Sequence, residues 1–347
     1  MADSLIGLVS RAKGLSTRLL SRQTLEGLAD ADDLDAFARS LSRVAPQLES
    51  VAPPIDVFAI ERAVGQTARR HLQTLNRWQE GRYGAPGATI GVLDIYAARQ
   101  DRQSLRALLR GAAEGAPPTA RLRGLLSTSA LPQAALTRLA HAASPADVVG
   151  ELERLSHPDV PRLRMLVKTS PADLLAMDVA LLAGLGERAT HAAAAADRQA
   201  RDFVHALIDV GNVQNALLLA AGSGDATPAD LFVRGGRWLT ERAFVAAASA
   251  RQREHALTVL AAALAASPLA SALPAVPSDV SALDRAFLVE TLRHLTRAAR
   301  REPLSTAPVL RVLLLIEAQG RDLRALAWGA EMRTPPTLRK QQLVTPS

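Results

Sequence analysis

One pattern occurs three times along this chain of 347 residues, and it constrains the fold more than any other feature. The copies are Asp101-Arg102-Gln103-Ser104-Leu105-Arg106-Ala107-Leu108, Asp209-Val210-Gly211-Asn212-Val213-Gln214-Asn215-Ala216 and Gln319-Gly320-Arg321-Asp322-Leu323-Arg324-Ala325-Leu326. Each reads polar, two residues, small polar, apolar, two residues, apolar, and the period is about 110 residues. Two copies run on to a glycine one turn later, Gly111 and Gly329. Upstream of each copy stands an acidic residue, any residue, alanine and an apolar residue: Glu61 to Val64, Asp178 to Leu181 and Asp284 to Phe287. A third pattern follows two of the copies, at Leu136 to Ala140 and Phe244 to Ala248. Its remaining copy lies near the N-terminus, at Leu25 to Ala29.

The front half of one module therefore stands at the C-terminal end of the chain and its back half at the N-terminal end. The arrangement that completes all three modules is closed, with the ends meeting. An open solenoid would need polar caps at its two ends. The expected modules are residues 1–50 with 275–347, 51–165, and 166–274.

The local signals are helical. Ile60, Val64, Ala68, Leu72 and Leu75 recur at three and four, the spacing of one helix face. Ser144-Pro145-Ala146-Asp147 places a serine N-cap before a proline at the first helical position, and Ser170-Pro171-Ala172-Asp173 reads the same way. Long helices are predicted over about 54–78 and 171–220, the second broken near Gly184-Leu185-Gly186. Other breaks fall at Ala52-Pro53-Pro54, Gly84 to Gly87, Gly115 to Pro118, Gly222-Ser223-Gly224 and Pro274 to Ser278. With aromatics at only 3%, the residues that favour sheets are scarce, whereas Ala, Leu and Arg favour helix. The expected fold is all-α: three similar helical modules in a closed pseudo-threefold funnel.

The absence of cysteine excludes a disulfide framework, a cysteine zinc site and a cysteine nucleophile. No His-Glu-x-x-His spacing occurs, so the seven histidines are expected to be ordinary helical residues. Asp30, Asp32, Asp33 and Asp35 flank a helix start, where acids favour the dipole. Gly235-Gly236 and Gly222-Ser223-Gly224 do not follow a strand or end in Gly-Lys-Ser/Thr, so no nucleotide site is expected. No cofactor or small-molecule substrate is implied. Asp101 and Asp209 are open to two readings, ion coordination or capping of neighbouring backbone. Trp78, Trp238 and Trp328 read as core or rim residues.

The net charge is +7, and lysine occurs only at Lys13, Lys168 and Lys340, so arginine carries the positive charge. Arg99, Arg102, Arg106 and Arg110 recur at three and four, as do Arg297, Arg300 and Arg301. Each set is either a solvated face or a basic stripe for anionic headgroups or an acidic partner. The N-terminus has no basic segment followed by an apolar run, so no signal peptide is expected. The uncharged run Ala256–Ser278 is read as a buried helix and a loop, not a membrane span.

In series, these segments resemble the C-subunit family of V/A-type ATPases, whose eukaryotic counterpart is the d subunit. The resemblance runs through Ser10 to Leu20, Asp101 to Gly111, Asp209 to Leu218, Leu231 to Leu239, Glu302 to Ser305, Ala318 to Gly329 and the tail Leu338 to Val344. It departs from the family in keeping the asparagine of its Asp-x-x-Asn-Leu helix only at Asn212, with Ser104 and Asp322 elsewhere, and in having few tyrosines. The resemblance implies a non-catalytic rotor part on the cytoplasmic face of a membrane. Its partners would be the central-shaft subunits and the membrane ring of ion-carrying subunits, and torque would pass through it. The rival reading is an arginine-rich helical scaffold for nucleic acid.

Overall fold

The computed structural model describes residues 2–46, 55–81, 91–222, 227–273 and 280–346. Side chains of 2–4, 78–81 and 280–281 lie outside the description, and with them the reading of Trp78. The breaks expected at 52–54, 84–87, 223–224 and 274–278 also lie outside it.

Every regular element among the described residues is helical. In chain order they are α1 (Ala2–Ser16), α2 (Arg22–Ala29), α3 (Leu34–Val44), α4 (Val57–Gly81), α5 (Val92–Ala113), α6 (Pro118–Arg121), α7 (Gln133–Ala140) and α8 (Pro145–Arg154). There follow α9 (Val160–Thr169), α10 (Leu174–Ala193), α11 (Arg198–Ala220), α12 (Glu241–Ala248), α13 (Arg253–Ala263), α14 (Val280–Arg301), α15 (Ala307–Glu331) and α16 (Pro336–Gln341). Two short 3-10 turns stand at Pro228–Leu231 and Ala270–Ala272.

The helix starts follow side-chain capping, in which an oxygen takes one of the first free N–H groups. Ser144 accepts from the Asp147 N–H at 3.2 Å, as its sequence predicts. The second Ser-Pro start is different. Ser170 ends α9, and Asp173 caps α10 by accepting from the Ala176 N–H at 2.8 Å. The break in the long 171–220 segment also moves. It lies at Ala194 to Asp197, where Asp197 caps α11 by accepting from Ala200 N–H at 3.0 Å. Gly184 and Gly186 both stay inside α10, and at Gly184 the reason for glycine is close packing rather than a bend. A Cβ on Gly184 would collide with the Asp159 carboxylate, whereas one on Gly186 would only touch Ile208.

The chain divides into two compact units, residues 1–89 with 291–347 and residues 90–290, with the boundary inside α14. In the first unit, α15 is the central helix, buried along most of its length, with α1, α2, α3 and α4 packed on it. Leu25, Leu28, Phe37, Leu41, Ile60, Val64, Leu323, Leu326 and Leu343 share its core. Both ends of the chain thus build one interior. Arg22 ties them further, donating to the carbonyls of Lys340 at 2.9 Å, Leu343 at 3.0 Å and Thr345 at 3.2 Å.

Among the described residues of the second unit, an apolar cluster surrounds each of the repeat helices α5 and α11. One surrounds Leu105, Leu108 and Leu109 of α5, with Leu136, Leu152, Leu163 and Leu181. The other surrounds Val213, Ala216 and Leu217 of α11, with Phe244, Leu260, Leu283 and Phe287. By length and composition α11 could cross a membrane, but 67% of its apolar window is buried inside the protein. The run from Ala256 begins in α13, whose Ala256 and Leu260 are fully buried.

Candidate functional site

The three repeat copies lie on α5, α11 and α15. Their apolar fifth residues, Leu105, Val213 and Leu323, are completely buried. The polar first residues share one task. Each secures, directly or through a hydroxyl, a backbone N–H just ahead of the N-cap of another helix: α7 for Asp101, α12 for Asp209 and α2 for Gln319. Asp209 accepts from Leu239 N–H at 3.2 Å, and its other oxygen accepts from Arg237 and Trp238 at 3.0 Å each. Gln319 accepts from Leu20 N–H at 2.6 Å. At Asp101 the contact goes through a hydroxyl: Thr128 donates to the carboxylate at 2.5 Å and accepts from Leu131 N–H at 2.9 Å. Leu20, Leu131 and Leu239 directly precede the N-caps Ser21, Pro132 and Thr240. Of the two readings of Asp101 and Asp209, these bonds favour capping.

The fourth residues add a second strap where their chemistry allows. Asn212 bonds both backbone groups of Val233, donating to its carbonyl at 2.7 Å and accepting from its N–H at 3.0 Å. Asp322 accepts from Val344 N–H at 2.7 Å and Thr345 N–H at 2.9 Å. Ser104 is buried. Burial disfavours the charged form of a carboxylate, and donated N–H bonds favour it. For Asp209 and Asp322 burial wins, and both are raised. Asp101, with its hydroxyl donor, is raised to about 6.

The glycines that end two copies have a steric reason. A Cβ on Gly111 would lie 2.7 Å from the Arg121 side chain, and one on Gly329 would lie 2.7 Å from that of Arg339. Each arginine crosses over its glycine to a distant carbonyl, Arg121 to Ala142 and Arg339 to Ala31, the latter at 2.7 Å. At the same spacing the middle copy carries Leu219 and Ala229, and Leu219 packs against the apolar cluster of α11. No isolated feature of Arg121 or Arg339 singles it out in the sequence. Their signal is the shared spacing from Gly111 and Gly329.

The arginines of α5 are turned inward rather than toward solvent. Arg102 and Arg106 hold the Asp178 carboxylate of α10 at 3.0 and 2.9 Å, and Arg110 stands at 3.9 Å. The Asp178 side chain is only 2% exposed, so this is a buried charge cluster. Arg106 also donates to Gln214 of α11 at 3.3 Å, and Gln214 donates to Asp284 of α14. In the first unit Glu61 accepts from the Trp328 indole at 3.0 Å and its charge opposes the desolvation of the half-buried Arg324. The upstream acids and the repeat helices are thus partners. The sequence presents both sets at one period without showing that they pair.

Another ion pair is unmarked by any repeat. Asp159 is fully buried and held by both terminal nitrogens of Arg188, at 2.5 and 3.0 Å. His157 stands 3.8 Å from the same carboxylate, and burial lowers its pKa. Arg99 is half-buried on α5. Arg297, Arg300 and Arg301 remain exposed at the end of α14. Asp33 caps α3, accepting from Ala36 N–H at 2.8 Å, and Asp30 pairs with Lys340 at 2.6 Å. Trp238 and Trp328 are partly buried against the clusters of α11 and α15.

These side chains hold helices together across long sequence separations. The sequence model of the ATP synthase (C/AC39) subunit family matches residues 8–342, and the chain belongs to that family. It is similar to the C subunit of the A-type ATP synthase of Haloferax volcanii, 25% identical over 304 residues, covering 83% of this chain and 82% of that protein. The corresponding protein of Halorubrum lacusprofundi is 25% identical over 285 residues, 79% of this chain and 78% of its own length. That of Haloquadratum walsbyi is 26% identical over 291 residues, 79% of each chain.

Proposed function

We propose that this chain is a non-catalytic rotor subunit of a V/A-type ATPase. It acts as a socket between the central shaft and the membrane ring of ion-carrying subunits. It passes torque between ATP hydrolysis or synthesis and proton or sodium transport, from a peripheral position on the cytoplasmic face. The observation that carries the reading is family membership over nearly the whole chain, with relatives named as the C subunit of the A-type ATP synthase.

The proposed architecture is three helical modules, residues 1–50 with 275–347, 51–165 and 166–274, closed around a pseudo-threefold axis. Three apolar clusters, one on each repeat helix, support it. So does the contact of each first repeat residue with the N–H ahead of an N-cap, direct for Asp209 and Gln319 and through Thr128 for Asp101. A part that transmits torque must resist shear between its helices. Interiors are close-packed and transmit strain, and buried charge pairs resist removal of either partner.

The test is co-purification from detergent-solubilised membranes of the source cells, using the tagged full-length chain. Ring and shaft subunits are expected to accompany it. Recovery only in a soluble nucleic-acid-bound fraction would overturn the reading.

A further inference from the structure

The exposed end of α14 combines features that its own fold does not use. Arg297, Arg300 and Arg301 are exposed, and Leu304, in the turn three residues past the helix end, is 60% exposed. The opposite face of α14, with Leu292, Leu295 and Ala298, is buried. Among the described residues, none of the three arginines forms an ion pair. Arg311 of α15 donates to the Thr296 hydroxyl at 3.1 Å, and burial together with the Arg300 charge lowers its pKa. The cluster is therefore cationic beyond the needs of the helix end, where two basic residues already complement the dipole. Glu302 is the acid of the turn.

We propose that this end of α14, with Arg297, Arg300, Arg301 and Leu304, docks on an anionic lipid surface. The proposal deepens the rotary-subunit reading and rests on it for a membrane close by. Guanidinium groups bind headgroup phosphates as bidentate donors. Leu304, beside Pro303 at the tip of the turn, supplies the apolar contact that an interfacial segment buries at the headgroup boundary. A groove for single-stranded nucleic acid would stack bases on aromatic side chains between the cations, and the 291–306 segment has no Phe, Tyr or Trp. An acidic protein surface would neutralise the arginines but leave Leu304 without an apolar environment.

The experiment is co-sedimentation of the full-length protein with vesicles of phosphatidylcholine alone or mixed with phosphatidylglycerol, at low and high salt. The wild type is expected to bind the anionic vesicles and to release at high salt. Near an anionic surface each arginine contributes about fivefold in affinity, so the triple variant Arg297→Gln, Arg300→Gln, Arg301→Gln should bind roughly 100-fold more weakly. Leu304→Asp should weaken binding while its melting midpoint stays at the wild-type value. Triple Lys replacement, which keeps the charge, should retain binding and guards against misfolding of the Gln variant. Three results overturn the proposal: equal binding by the Gln variant, equal binding to neutral vesicles, or binding to duplex DNA with none to vesicles. Vesicle binding lost while ring and shaft subunits still co-purify removes the lipid contact alone. The converse strikes the rotor reading and leaves the lipid contact standing.

Discussion

Asp178 is the residue whose removal tests the internal architecture most directly. Its carboxylate is 2% exposed and faces Arg102 at 3.0 Å and Arg106 at 2.9 Å, whose side chains are only 10% and 16% exposed. Asp178→Ala leaves one buried guanidinium, Arg102, and one half-buried, Arg106, without this counter-charge. Breaking a buried pair by removing one partner costs about 3–5 kcal/mol. In a unit of roughly two hundred residues each kcal/mol moves the melting midpoint by about 2–4 °C, so a fall of about 10 °C is expected. Arg102 also loses the charge that opposes its desolvation. The assay is thermal unfolding followed by circular dichroism at low and high salt. Because the pair is buried, salt should change the difference little. Replacing Asp178 by Leu and Arg102 by Met together should recover part of the loss, and a double-mutant cycle measures the coupling. A fall below about 2 °C for Asp178→Ala would refute the argument. So would an effect that high salt abolishes, since that marks a solvated pair.

The remaining predictions concern the straps and their protonation. Asp101 has a folded pKa raised from 3.8 to about 6. The stability it contributes is therefore full below about pH 4 and lost as pH rises through about 6. Asp101→Asn should flatten that slope in melting curves between those pH values, and parallel curves would contradict it. Gly236→Ala should cost about 2–4 kcal/mol in urea unfolding. Its Cβ would collide with the Asp209 carboxylate and displace it from three N–H donors. Gln319→Ala should cost about 1–3 kcal/mol by stranding the buried Leu20 N–H, which hydrogen exchange at Leu20 would report as faster opening. Unchanged exchange would mean that the bond does not hold the N-terminal segment.

Much of the fold can be read from residues alone because periodicity survives where contacts cannot be seen. Apolar spacing places Leu105, Val213 and Leu323 on buried faces, and all three are fully buried. The recurrence of Leu25, Leu136 and Phe244 places one copy's back half at the N-terminal end. In the first unit Leu25 packs with Leu323. Ser144 works because an N-cap acts within one turn. The second Ser-Pro start misleads because Ser170 and Asp173 compete for the same helix end. There the carboxylate, three residues on, reaches the Ala176 N–H. Gly184 misleads because glycine marks either a bend or a close approach, and only the neighbour Asp159 decides which.

By itself the sequence determined the helical class, the threefold period and the family. Each depends on composition or on spacing along one chain. Tertiary structure alone decided what the charged residues do. Arg102, Arg106 and Arg110 have the spacing of a solvated stripe, as do Arg297, Arg300 and Arg301. The first set meets Asp178 and turns inward, whereas the second stays exposed at the end of α14. The physical reason is that a charge takes its role from the dielectric and the counter-charge around it. Both are set by residues far away in the chain.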